Sequence, residues 1–129
     1  MADVNRGKRP LSPFMLGRYY RFQLTSVTSI LTRITGAGLL VGALMVVWWL
    51  IALATGPEAY AVADGVITGW FGRLVMLGSI WALWYHALAG VRHLIWDMGY
   101  MLDIGDAERL GWAVIGGSVI LTLLTVLVL

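Results

Sequence analysis

The stretch HALAGVRHLIWD, residues 86–97, holds both histidines of the chain, His86 and His93, with Arg92 and Asp97 beside them. His86 sits in a run, LVMLGSIWALWYHALAGV, that is otherwise almost wholly apolar. An ionisable group at such a position is costly in hydrocarbon and tends to mark a ligand or proton pathway. A neutral imidazole is a common axial ligand for haem iron. The alternative is a neutral histidine hydrogen-bonded to a neighbouring helix. On a helix, His86, Gly90, His93 and Asp97 fall at i, i+4, i+7 and i+11, within one narrow stripe. Gly90 removes bulk from that stripe next to His86, and Arg92 points elsewhere by the same count. His93 cannot ligate the same iron as His86, because seven residues of helix separate them by roughly 10 Å on one face. A six-coordinate haem here needs its second ligand from another chain.

A second group lies further back. Ser29 and Arg33 stand at i and i+4, where the first long apolar run begins. Alone, Arg33 reads as a snorkelling interface arginine and Ser29 as a packing hydroxyl. Together, level with the histidine stripe, they suit an anionic or carbonyl-bearing ligand; haem propionates and quinone oxygens both qualify. Arg73 and Arg109 read as interface charges.

The elements that must position these residues are membrane helices. Of 129 residues, 60% are hydrophobic and only 12% charged, and the mean hydropathy is +0.83. A soluble domain of this size carries more charge. Three stretches reach the roughly 20 apolar residues that a spanning helix needs: 34–54, 74–91 and 110–129. A backbone crossing lipid satisfies its own hydrogen bonds, so the predicted fold is all-α, an integral membrane protein of three transmembrane helices. The predicted organisation is an interfacial N-terminal arm over 1–24 and one three-helix domain over 25–129, with spans near 28–54, 66–96 and 108–129. The chain has no cysteine, which excludes disulfides and iron–sulfur ligation by its own residues. A net charge of +2 gives no case for nucleic-acid binding.

Charge distribution predicts orientation. Arg6, Lys8, Arg9, Arg18 and Arg21 precede the first span, whereas the following loop, TGPEAYAVADG, has Glu58 and Asp64 but no Lys or Arg. The positive-inside rule puts the N-terminus in the cytoplasm and that loop opposite. His93, Asp97 and the 97–109 loop then face the cytoplasm, and the C-terminus lies on the other side. Trp48, Trp49, Trp70 and Trp112 fall near span ends, as interface anchors do. RPLSPF in the arm breaks helix. Gly38 and Gly42 form a GxxxG pair suited to close helix approach, either to a partner or within this chain.

Two motifs carry a resemblance to a known family. RPLSP, residues 9–13, is followed at the expected distance by SILTRIT, residues 29–35, and the second span holds HALAGVRHLIWDMG, residues 86–99. With three spans of similar placement, nearly the whole chain resembles the cytochrome b subunit, the larger membrane anchor, of succinate dehydrogenase (respiratory complex II). The resemblance implies that His86 is an axial ligand of haem b, with the other ligand from a smaller anchor subunit. It puts Arg33 and His93 near the haem propionates, and Ser29 and Arg33 in the ubiquinone pocket. The family usually has His directly before the arginine; this chain has Thr32, so that histidine's role is not carried over.

The same resemblance implies partners: a second anchor, an iron–sulfur subunit and a flavoprotein subunit that oxidises succinate. This chain would have no succinate site and no catalytic activity in isolation. It would anchor the soluble subunits to the bilayer and wall the pocket where ubiquinone takes two electrons and two protons. A fumarate reductase anchor is the nearest rival, and a small structural or transport membrane protein with a merely packing stripe is another. The absence of a transit-like leader favours a bacterial inner membrane over a mitochondrial one.

Overall fold

The computed structural model describes residues 22–128. The RPLSP motif and the basic residues Arg6 to Arg21 lie outside the described residues. Four helices follow in order: α1 (Leu24–Thr55), α2 (Pro57–Thr68), α3 (Trp70–Asp97) and α4 (Ile104–Val128). Among the described residues, α1, α3 and α4 are long and apolar enough to cross a membrane, so the fold is all-α with three candidate spans.

The segment read from sequence as a loop is instead helix α2. Gly56, at φ 143°, turns the chain as only glycine readily does, and Pro57 starts the new helix at its first turn with Glu58 behind it. One residue, Gly69, separates α2 from α3. The corner is tight enough that a Cβ on Gly72 would meet the backbone carbonyls of Val66 and Ile67. Arg73 closes it, its Nε donating to the Thr68 carbonyl at 2.7 Å. Trp49 stacks at an angle on Tyr60, ring centres 5.6 Å apart, so this tryptophan joins α1 to α2.

The bundle is held by small and hydroxylic residues. The buried positions of α1 are Thr28, Thr35, Gly42 and Ala52, and those of α4 are Ala107, Gly111, Val114, Ser118 and Thr122. Lipid is as apolar as leucine, so close backbone approach and hydrogen bonds hold membrane helices together. The large aliphatic side chains accordingly face outward, Leu40, Leu44, Ile51 and Leu123 among them. Buried hydroxyls return to their own helix: Thr35 to the Leu31 carbonyl at 2.8 Å and Thr122 to the Ser118 carbonyl at 2.7 Å. Gly42 packs within the chain, against Ser79 of α3, whereas Gly38 has nothing within 4 Å. Trp84 Nε1 donates to Thr125 Oγ1 at 2.9 Å, tying α3 to α4.

Helix α3 stops for a local reason. Gly99 takes φ 83°, its N–H reaches the Trp96 carbonyl at 2.8 Å, and the Tyr100 N–H reaches the Ile95 carbonyl at 3.1 Å. That pair of bonds is the Schellman arrangement, which needs a left-handed residue, most often glycine, just past the last turn.

Candidate functional site

Two adjacent stripes of α3 carry the polar residues, and they face different ways. The stripe read from sequence turns outward: Gly90, His93 and Asp97 are exposed in the isolated chain, and His86 is partly covered. The stripe one residue earlier, Tyr85, Ala89 and Arg92, is buried against the other helices. The outward histidine stripe is therefore a surface of this chain, where a group shared with another chain could lie.

His86 is fixed by α1. Its Nδ1 lies 3.2 Å from the Thr32 carbonyl oxygen. A carbonyl only accepts, so this contact requires the proton on Nδ1, and in a neutral ring Nε2 then keeps the lone pair. The ring stands over Gly36: a Cβ there would lie 3.0 Å from Cε1 and 3.4 Å from Nδ1, but 4.0 Å from Nε2. The glycine that makes room for His86 is thus Gly36 on the facing helix; Gly90 has open space beside it instead. An imidazole whose Nδ1–H is tied to a backbone carbonyl is the usual form of a metal-ligating histidine. Among the described residues no cluster of three metal-binding side chains occurs; His86 alone would supply one ligand to a metal already held in a macrocycle.

His93 folds back on its own helix, with Nδ1 2.7 Å from the Ala89 carbonyl oxygen and its ring edge-on to Trp96 at 5.4 Å. It shares a cleft of about 260 Å³ with Thr25, Ser29, Thr32, Arg92 and Trp96. Ser29 and His93 are thereby brought together. Arg33 is exposed one turn along α1 and is not among the residues lining that cleft. Thr32 gives its hydroxyl to the Thr28 carbonyl at 2.8 Å.

Sequence reasoning misses the residues behind the cleft. Arg92 is 4% exposed; its Nη1 donates to Thr28 Oγ1 at 2.8 Å and its guanidinium carbon lies 4.1 Å from the centre of the Trp96 ring. Tyr85 is fully buried and its hydroxyl donates to the Thr28 carbonyl at 3.1 Å. The signal that could have found them is the Tyr85, Ala89, Arg92, Trp96 spacing, the same helical period displaced by one residue.

The family described as succinate dehydrogenase/fumarate reductase transmembrane subunit matches residues 5–125. The chain is 52% identical over 128 residues to the succinate dehydrogenase cytochrome b556 subunit of Paracoccus denitrificans, covering 99% of this chain and 97% of that one. It is 37% identical over 117 residues to the cytochrome b556 subunit of Rickettsia conorii, covering 91% and 90%. The cytochrome b560 subunit of Reclinomonas americana is 33% identical over 121 residues, covering 90% and 83%. With three candidate spans and a match over almost its whole length, the chain belongs to the succinate dehydrogenase/fumarate reductase transmembrane-subunit family.

Proposed function

We propose that this chain binds haem b through His86 as the cytochrome b anchor of a succinate:ubiquinone oxidoreductase. On this reading it shares the haem with a second, smaller anchor and forms part of the ubiquinone-reduction site fed by the iron–sulfur subunit. The observation that carries the reading is the 3.2 Å contact between His86 Nδ1 and the Thr32 carbonyl. It leaves Nε2, the ring nitrogen farther from Gly36, as an acceptor on a stripe whose other polar members, His93 and Asp97, are exposed in the isolated chain. The names of the relatives, cytochrome b556 and b560 subunits of succinate dehydrogenase, point the same way.

When bound, the haem supplies a site that holds one electron beside the quinone pocket. The chain's own residues do the positioning. Thr32 sets the His86 tautomer, and Gly36 lets the ring lie close to α1. His93 and Arg33 would hold the haem propionates. Ser29 donates a hydrogen bond to a quinone carbonyl and Arg33 polarises it. The positive-inside rule puts this end in the cytoplasm, where the iron–sulfur and flavoprotein subunits dock, and the setting is a bacterial inner membrane.

The test is a reduced-minus-oxidised and pyridine haemochrome spectrum of the affinity-purified complex, with partners identified by mass spectrometry. His86→Ala should lower haem content while membrane insertion persists. Unchanged haem occupancy and potential would remove the ligand assignment; absence of both b-type haem and a flavoprotein partner would remove the whole reading.

A further inference from the structure

Arg92 is a cation whose charge no other described residue balances. It lies on a helix able to cross a membrane and is 4% exposed. Among the described residues no carboxylate lies within ion-pair distance of it; the ion pair present there is Asp106 with Arg109. Its partners are a neutral hydroxyl, Thr28 Oγ1, and the face of Trp96. Its Nε is buried with no acceptor at all. Each of these falls short of a counter-charge, and a desolvated cation left so is expensive to keep. Low local dielectric also makes it a strong source of positive potential for whatever enters beside it.

What lies beside it is the cleft. Arg92 lines it together with Ser29 and His93, both exposed in the isolated chain and so at its mouth. Arg33 does not line it. We propose that Arg92, rather than Arg33 alone, is the cationic residue of the quinone-binding cleft, facing the oxygen-bearing head that Ser29 contacts. This rests on the proposed function above and specifies its electrostatics.

The overall reaction balances as quinone plus two electrons, from the iron–sulfur subunit, plus two protons from solvent, giving quinol. Both carbonyl oxygens become hydroxyls. Arg92 gives up no proton, since guanidinium stays charged in proteins. Its part is electrostatic: attraction for the head-group oxygen grows as negative charge builds there, so stabilisation is greater during reduction than on initial binding. Thr28 and Trp96 hold the guanidinium in place beforehand, which avoids reorganisation when electrons arrive. The lack of a counter-ion then fits a site whose negative charge develops on the substrate.

The experiment uses the assembled complex with Arg92→Gln, Arg92→Lys and Ser29→Ala. Steady-state kinetics with a short-chain ubiquinone are compared with succinate oxidation by an artificial acceptor that draws electrons upstream of the cleft. Haem content is measured in parallel, and a photoreactive azidoquinone is used to label the complex. Arg92→Gln should raise quinone KM and lower kcat, changing kcat/KM by at least about tenfold, the scale of one lost charged hydrogen bond. Upstream oxidation and haem content should hold. Arg92→Lys should recover part of the loss, and label should appear on the Thr25–Arg33 and Arg92–Trp96 peptides. If Ser29→Ala weakens quinone reduction while both Arg92 variants leave it unchanged, the Arg92 assignment is wrong and the pocket stands. Should Ser29→Ala also have no effect and no label reach either peptide, the pocket reading itself fails. Loss of haem in the Arg92 variants with normal quinone KM would give Arg92 to the haem instead and overturn the inference. If Arg92→Gln does not assemble, Arg92→Lys and the labelling pattern decide it alone.

Discussion

His86 and Thr32 are joined through the backbone: the imidazole Nδ1 lies 3.2 Å from the Thr32 carbonyl oxygen. The same residue's hydroxyl reaches the Thr28 carbonyl at 2.8 Å, which also accepts from Tyr85 at 3.1 Å. Thr28 Oγ1 then receives Arg92. One turn of α1 thus links the histidine on the outward stripe to the arginine at the cleft. A shift of α1 along α3 would disturb both at once, which couples His86 to the cleft.

Gly36 tests the histidine site from the opposite helix. Its missing Cβ would lie 3.0 Å from His86 Cε1, so Gly36→Ala should push the ring aside by a few tenths of an ångström. Overpacking of this kind costs about 1–3 kcal/mol. The expected outcome is reduced haem content or a shifted haem absorbance band, read in purified membranes, with insertion intact. Gly90→Ala has nothing of this chain within 4 Å to meet. It should leave the isolated chain unchanged and show its effect only in the assembled, haem-loaded complex.

Thr28→Val removes the acceptor for Arg92 while keeping shape and keeping the carbonyl that Tyr85 uses. Arg92 would then hold two buried N–H groups without partners, Nε being one already. The expected loss is about 1–2 kcal/mol, seen as a lower thermal midpoint of the detergent-solubilised complex. Thr28→Ser, which retains the hydroxyl, should restore most of it. Equal midpoints for the valine and serine variants would show that the Arg92–Thr28 bond contributes nothing.

The spans were legible because a run of apolar residues long enough for hydrocarbon has few other uses. The outward stripe was legible because His86, Gly90 and His93 share one helical period in a sequence otherwise poor in polar groups. Helix α2 was hidden by its composition, since Gly56, Pro57 and Asp64 read together as loop chemistry. Its start signals, proline at the first turn and Glu58 behind it, were nonetheless present. Arg92 was hidden for a different reason. At the end of an apolar run it reads as a boundary charge, and only the packing of α1 on α3 turns it inward. Which face of α1 meets α3 could not be read from periodicity, because α1 is apolar on every side. Thr28 was therefore not singled out, and Thr32 only as a replacement for a histidine.

Gly42 and Ser79 provide the strictest test of how α1 seats on α3. A Cβ on Gly42 would collide with Ser79 Oγ and stand 2.9 Å from Ser79 Cβ. The Ser79 hydroxyl is itself held by the Val75 carbonyl at 2.8 Å, so it cannot swing away without losing that bond. Gly42→Ala should therefore separate the two helices and destabilise the chain by about 1–3 kcal/mol. Ser79→Gly alone should cost less than Gly42→Ala, since it removes one weak bond and leaves a small gap. Combined, the two changes exchange the small residue between helices, and stability should return most of the way toward the parent. Residues in direct contact show such non-additivity, commonly about 0.5–3 kcal/mol. The measurement is the thermal midpoint of the single and double variants by size-exclusion fluorescence after heating, with haem absorbance followed on the same samples. Because Gly36 and Thr32 lie on the same helix as Gly42, the single variant should also loosen His86 and lower haem retention. Additive losses in the double variant would mean that Gly42 meets something other than Ser79, and the seating of α1 on α3 would need to be redrawn.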